Sequence, residues 1–245
     1  MMLQQWPENV SICIPSYKAA LTLDRFLSEL LTRVPAEKII VIDDASKDAT
    51  NQVCQKHGVT CLTHTVNKGK GAALRTGFTH LLKQGNAAWA FTMDADGQHA
   101  IADIDHFLLY INQHPSTAIC VGYREMQIGR MPILRILSNR ITSGIMSIYC
   151  RQRICDSQCG YRIYSLSFIS SITIEYNRFE MESEVLLKAA TKGLDIGFIP
   201  IQTLYLDGTS HISHFYDTIR WVRAVTTVRS RLKQVQKKKR APKHP

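Results

Sequence analysis

The chain has 245 residues, 45% of them apolar, and a formal charge of +10 at pH 7, enough for one large core or two small ones. No run of about 18 uninterrupted apolar residues is present, which argues against a spanning helix. The polar opening "MMLQQWPENV" and the short "SICIPSY" do not read as a signal peptide. The cysteines at 13, 54, 61, 120, 150, 155 and 159 are scattered without C-x-x-C pairs, which points to a reducing, cytoplasmic setting rather than a disulfide framework or zinc site.

In chain order, "VSICI" (10–14), "KIIVI" (38–42), "VTCLT" (59–63), "AWAFTM" (88–93) and "TAICV" (117–121) are predicted strands. Segments near 20–33, 48–57, 70–84 and 101–114 have helical length and spacing. This alternation predicts an α/β fold, a mostly parallel sheet covered on both faces, with functional loops beyond the carboxyl ends of its strands. Beyond residue 122 the pattern changes. "MPILRILSNRITSGIMSIYC" (131–150) reads as amphipathic, and "FEMESEVLLKAATKG" (179–193) as a helix closed by glycine. "LDIGFIPIQTLY" reads as two strand pieces broken at Pro200. From 213 to 237, Phe215, Ile219, Val222, Val225, Val228, Leu232 and Val235 recur at helical spacing. The charge excess lies entirely at the end: ten Lys/Arg and no Asp/Glu follow Asp217. A balanced body with a basic tail suits an anionic surface, either a membrane or a nucleic acid.

Three strand-end loops carry the candidate chemistry. "VIDDASKDAT" offers Asp43 and Asp44, then Ser46 and Asp48, which suit helix capping. One of the paired aspartates is a candidate acceptor of hydrogen bonds from a nucleobase or ribose. "VNKGKGAALRTG" places Lys68, Lys70 and Arg75 around two glycines at a helix start, which suits either a diphosphate or an ordinary exposed helix. "FTMDADGQHA" sets Asp94 and Asp96 two apart after a strand, an alternation that predicts one shared face. With the Gln98 amide they form a hard-oxygen set for Mg2+ or Mn2+, or else a solvated acidic turn.

The order "IPSY", "IDDASKD", "NKGKGAALRTG", "DADGQH", "VGYR", "DSQCGYR", "FEMESE" and "IPIQTLYLDGTSH" resembles the family 2 glycosyltransferases, over roughly residues 8 to 215. Within them it is closest to the dolichol-phosphate mannosyltransferase branch and its bacterial polyprenyl-phosphate relatives. The resemblance implies a GT-A fold and an inverting transfer from a nucleotide-diphosphate sugar, UDP- or GDP-linked. Pro15 and Tyr17 match positions that pack on the base, and Asp44 the acid that recognises it. Asp94, Asp96 and Gln98 match the motif that holds the metal and diphosphate. Arg124 matches an arginine near the acceptor phosphate, and Arg135 and Ser138 fall where the branch has further ligands. Lys18 stands where Asn is usual, Ala45 and Ala49 replace glycine-type positions, and Cys159 stands where Ser is common. The late arginine before G-x-S-K is missing: Tyr205 lies near it and His211 replaces the lysine.

A lipid phosphate acceptor needs no base, whereas a hydroxyl needs a carboxylate within reach, for which Glu182 and Asp156 are candidates. The expected catalytic set is Asp96, Arg124 and Glu182. The amphipathic 131–150 segment and the basic end suit work on a lipid-linked acceptor at the cytoplasmic membrane face. The alternatives are a hydroxyl acceptor on a glycolipid or cell-envelope glycan, or a nucleotide-binding scaffold without turnover. A nucleic-acid partner is not expected, because the basic tail lacks interleaved aromatics. On this reading, residues 1–212 form the transferase domain, 213–236 an amphipathic helix and 237–245 a disordered basic tail.

Overall fold

The computed structural model of the chain describes residues 5–124, 133–202 and 214–240. Strands β1 (Val10–Ser16), β2 (Ile39–Asp43), β3 (Thr60–Thr63), β4 (Trp89–Thr92) and β5 (Thr117–Arg124) alternate with helices α1 (Ala20–Leu30), α2 (Thr50–His57), α3 (Lys70–Gln84) and α4 (Ile104–Gln113). Then come α5 (Ile133–Cys150), β6 (Arg162–Ser165), α6 (Leu166–Ser170), α7 (Glu180–Thr191), β7 (Asp195–Ile201) and α8 (His214–Arg240).

The seven strands form one sheet in the order β3-β2-β1-β4-β6-β5-β7. All neighbours are parallel except β6, which runs antiparallel to both β4 and β5. The continuous apolar runs of β1 and β2 follow from burial on both faces, since helices cover each side. Facing residues share a side of the sheet: Tyr164, opposite Ala90, meets Phe78 of α3 at 5.2 Å. Phe91 meets Phe107 of α4 on the other side at 5.0 Å. Gly77 lets α3 settle onto the sheet, because a Cβ there would sit 2.8 Å from Cys13 Sγ.

Two expectations are corrected. β6 went unread, since its four residues lie inside a motif-rich loop and carry no alternation. Asp195–Ile201 is one unbroken strand through Pro200. β7 is the sheet edge, so the missing N–H of Pro200 faces away from β5 and removes no ladder bond.

α8 docks on α7 through Ala224, Val225 and Val228, which are buried. Trp221 Nε1 donates to Ser183 Oγ at 2.7 Å, and Arg220 pairs with Glu180 at 2.6 Å. The Arg229 guanidinium lies over the Tyr149 ring at 3.7 Å, tying α8 to α5. α8 runs to Arg240, so the first four residues of the expected tail are helical. The side chains of Phe215, Ile219 and Val235 lie outside the described residues. No described helix is long and apolar enough to cross a membrane.

Candidate active site

The loops after β1, β2 and β4 lie side by side at the carboxyl ends of those neighbouring parallel strands. The first two are stitched by backbone geometry: Asp44 N donates to Ser16 O at 2.9 Å and Lys18 N to Ser46 Oγ at 2.8 Å. Asp48 accepts from Ala20 N at 3.2 Å and Thr50 N at 3.1 Å, so one carboxylate serves the starts of both α1 and α2. Lys18 and Ala45 stand at positive φ, +54° and +64°. The resemblance has Asn and a glycine-type residue at these positions, the types that tolerate that region. Left-handed backbone costs alanine about 1–2 kcal/mol, more than glycine loses in the unfolded chain. Ala45→Gly is therefore expected to raise stability by about 0.5–1 kcal/mol, read as a higher urea midpoint. A lowered midpoint would show that the loop does not bear this strain.

Asp44 does not present a free carboxylate to a base. It is buried, accepting from Lys68 N at 2.8 Å and Gly69 N at 2.6 Å, with His64 Nδ1 at 2.6 Å. A buried charge must be satisfied, and amides at the start of α3 satisfy it. At those amides the anion is the chain's own Asp44 carboxylate. Ala72 N is also engaged, by Asn177 O at 2.9 Å. Gly69 and Gly71 are there for close approach: a Cβ would lie 2.6 Å from Asn177 O or 2.7 Å from Arg178 O. Arg75 is engaged with the loop before α7: its guanidinium donates to Ile174 O at 3.0 Å and Asn177 Oδ1 at 2.7 Å. Asp43 is buried and accepts from Ser46 N at 2.9 Å. Pro15 is half-buried on β1, and Tyr17 stands exposed under the Lys18 ammonium at 5.2 Å.

The centre of the site is Lys70. Its Nζ bridges Asp94 Oδ1 at 2.7 Å and Glu182 Oε1 at 2.9 Å. Burial works against its charge, yet the two carboxylates outweigh that and raise its pKa above the ordinary lysine value. Burial likewise pushes Asp94 up, but Lys70 and then His99 hold it below the usual carboxylate value. Gly160 closes the cluster from below, since a Cβ would lie 2.5 Å from Lys70 Nζ and 2.6 Å from Asp94 Oδ2.

Strand alternation does not direct Asp94 and Asp96, because β4 ends at Thr92 and residues 95–96 form a turn. Asp94 is half-buried on Lys70. Asp96 is exposed, with Oδ1 accepting from Gln98 N at 3.0 Å. His99 anchors this loop by stacking on Tyr161 at 4.5 Å and accepting Asp94 N–H on Nδ1 at 3.3 Å. Burial holds its imidazole below the ordinary value, against the pull of Asp94 and Asp96. No group of three or more His, Cys, Asp or Glu side chains suited to a metal is found among the described residues. The donors present fit a hard cation held by one or two carboxylates, with waters and substrate phosphates completing its shell.

Arg124, at the end of β5, lies close enough for its charge to act on Asp94. Asp156, fully buried, grips it: Nε to Oδ2 is 2.8 Å and Nη2 to Oδ1 3.1 Å. Asn139 Nδ2 and Gln158 N donate to the same carboxylate at 2.7 and 2.9 Å. Burial pushes the Asp156 carboxyl up, but Arg124 and these hydrogen bonds outweigh it and hold it low. Asp156 thus holds the Arg124 guanidinium in place.

Glu182 is buried between Lys70 and Arg162, whose Nη2 lies 3.8 Å from Oε2. Arg162 itself escaped the sequence reading. Fully buried, it donates to Cys159 O, Ser157 O and Glu182 O at 2.6–3.0 Å, locking the 157–160 loop to α7. The arginine ending "DSQCGYR" was its one signal. Ser138 is half-buried on α5, while its neighbour Asn139 makes the network bond. The Arg135 side chain, Tyr205 and His211 lie outside the described residues.

A mixed seven-stranded sheet flanked by helices, with an acidic loop at the strand ends, is the GT-A architecture of nucleotide-diphospho-sugar transferases. The chain matches Glycosyl transferase family 2 over residues 11–172 and belongs to that family. It is 29% identical over 220 residues to the UDP-N-acetylglucosamine–dolichyl-phosphate N-acetylglucosaminyltransferase of Methanococcus voltae, covering 81% of this chain and 86% of that one. It is 27% identical over 205 residues to the undecaprenyl-phosphate mannosyltransferase of Micrococcus luteus, covering 79% and 82%. Glucosyl-3-phosphoglycerate synthase from Mycobacterium tuberculosis, crystallised with Mn2+, UDP-glucose and phosphoglyceric acid, superposes with a TM-score of 0.74. That match has 12% identity and covers 91% of this chain and 80% of the other. The protein is a glycosyltransferase.

Proposed function

We propose that this enzyme moves a sugar, with inversion, from a UDP- or GDP-sugar to a polyprenyl-type lipid phosphate at the cytoplasmic membrane face. The observation that carries this reading is the engagement of both carboxylates weighed as bases. Glu182 is held by Lys70 and Arg162, and Asp156 by Arg124 and Asn139. An acceptor that brings its own anionic oxygen needs neither. Arg124, fixed by Asp156, supplies a positive charge to orient that anion toward the acidic loop.

Tyr17, Pro15 and the β1–β2 loop edge offer a surface for the base, with Asp43 at its inner wall. Asp96 and Asp94, with the Gln98 amide, would hold Mg2+ or Mn2+, which when bound offsets charge on the departing diphosphate. Lys70 keeps Asp94 ionised and adds a second positive charge at the same place.

On α5, Leu137 and Ile141 are each 53% exposed and Ile148 69%, a solvent-facing apolar stripe at helical spacing. That stripe and the basic α8 support an interfacial position on anionic lipid. The test is nucleoside diphosphate release from a panel of UDP- and GDP-sugars with Mn2+. Undecaprenyl phosphate or undecaprenol is supplied in phosphatidylglycerol or phosphatidylcholine vesicles. Expected is metal-dependent transfer to the phosphate alone, faster on anionic vesicles and slowed by salt. Transfer to undecaprenol would return the acceptor to the hydroxyl class, and equal rates on both vesicles would remove the membrane role of the basic end.

A further inference from the structure

A second cationic pocket lies away from the Lys70 cluster, between α5 and the edge of the sheet. It is a cavity of about 560 Å³ lined on α5 by Arg140, Ser143, Gly144 and Ser147, residues three and four apart that share one helix face. Tyr123 of β5, Phe198 of β7 and the loop residues Arg153, Ile154 and Cys155 complete the lining. Among the described residues no carboxylate lines it. Among the described residues neither Arg140 nor Arg153 makes an ion pair, and Asp156, close to Arg153 in sequence, is turned onto Arg124 and Asn139. Arg140 and Arg153 are both exposed, and the cavity sets their two positive charges on one surface.

The walls are already built. Ser143 Oγ donates to Asn139 Oδ1 and accepts Ser157 N–H, at 2.8 and 2.9 Å. Ser147 Oγ donates to Ser143 O and accepts Ile154 N–H, at 2.7 and 2.9 Å. These hydroxyls pin the 151–157 loop to α5 and fix the backbone that carries Arg153. Gly144 keeps the middle of the wall low, and a Cβ there would meet nothing within 4 Å.

We propose that this pocket is a phosphate-binding site in which Arg140 and Arg153 grip the anion, separate from the Asp94–Asp96 loop. Forked guanidiniums match phosphate oxygens two at a time. A volume of this size takes a phosphate together with an organic remainder, which Tyr123, Ile154 and Phe198 would cover. About a quarter turn around α5 runs the exposed stripe Leu137, Ile141 and Ile148, placed to carry an apolar chain attached to that phosphate. The phosphate belongs either to a lipid headgroup or to a free phosphate ester, and the probes separate the two.

Titration calorimetry on the full chain uses inorganic phosphate, monomeric dihexanoyl phosphatidic acid, and dihexanoyl phosphatidylcholine as the lipid without a phosphate monoester. Both phosphates are expected to bind, and Arg140→Gln with Arg153→Gln should weaken each about tenfold per guanidinium removed. Gly144→Leu, which suits a helix and leaves the charge unchanged, should block the organic phosphate by filling the cavity. Melting curves on each variant confirm the fold. Tighter binding of phosphatidic acid than of inorganic phosphate assigns a lipid source, and equal binding a free one; either supports the site. Binding unchanged in the double variant, or equal binding of phosphatidylcholine and phosphatidic acid, overturns it. The site stands or falls apart from the transfer reading, since these titrations contain neither nucleotide sugar nor metal.

Discussion

Replacing Asp156 with alanine is expected to destabilise the protein by about 3–5 kcal/mol, the range for breaking a buried ion pair by removing one partner. The side chain is fully buried and carries Arg124, Asn139 and Gln158 N on two oxygens. Its loss leaves Arg124 and the Asn139 amide without that acceptor in a place water reaches poorly. Asp156→Asn keeps the shape and loses the charge, so it should fall between alanine and the native residue. The sign with pH follows from the lowered carboxyl. Its contribution is present above the unfolded value of about 3.9 and is lost as pH falls through the lower folded value. Urea unfolding at pH 7 and at pH 3 decides the matter: the gap between native and Asp156→Ala should narrow at the lower pH. A variant as stable as the native chain at pH 7 would show that the network carries no net stability.

Asp96→Asn is expected to leave the melting curve unchanged while lowering turnover by a hundredfold or more, about 3 kcal/mol of transition-state stabilisation. The side chain is exposed and its hydrogen bond from Gln98 N survives the substitution, so the fold has little to lose. The reaction loses one of very few anionic ligands for the metal. Asp94→Asn is a less clean test, because it also releases Lys70 inside the cluster. Full activity of Asp96→Asn, or of the native enzyme in excess chelator, would refute the metal reading.

The parallel part of the sheet was legible because strands buried on both faces need no alternation to be recognised. Their apolar runs stand out between helical spacings. β6 was not, since four residues between a glycine and a helix carry too little pattern. The acidic loop was legible as a place, two aspartates directly after a strand, which the structure sets at the carboxyl end of β4. Lys70 was legible as a cation at a helix start but not as the partner of Asp94 and Glu182, residues that only the topology brings to it. The partners of Asp44 were hidden for a related reason: sequence shows an acid at a strand end but not which amides its carboxylate finds. Arg162 and His99 act through burial, and burial of a charged or titratable side chain is what composition argues against.

The strand order also governs how the chain can be made. β4 sits at the middle of the sheet, yet the strand that covers its outer edge, β6, follows only after β5 and α5 have been synthesised. At about 5–20 residues per second, a nascent chain carries β4 with one edge open for roughly 4–14 s before Arg162 emerges from synthesis. An unpaired apolar edge is a template for another chain, so this interval is when the protein is most exposed to aggregation. Local pairing among β1, β2 and β3 is available early, whereas completion of the sheet waits on a long loop closure. The antiparallel strand is thus a late keystone, and the half-sheet before it is the species a chaperone would meet.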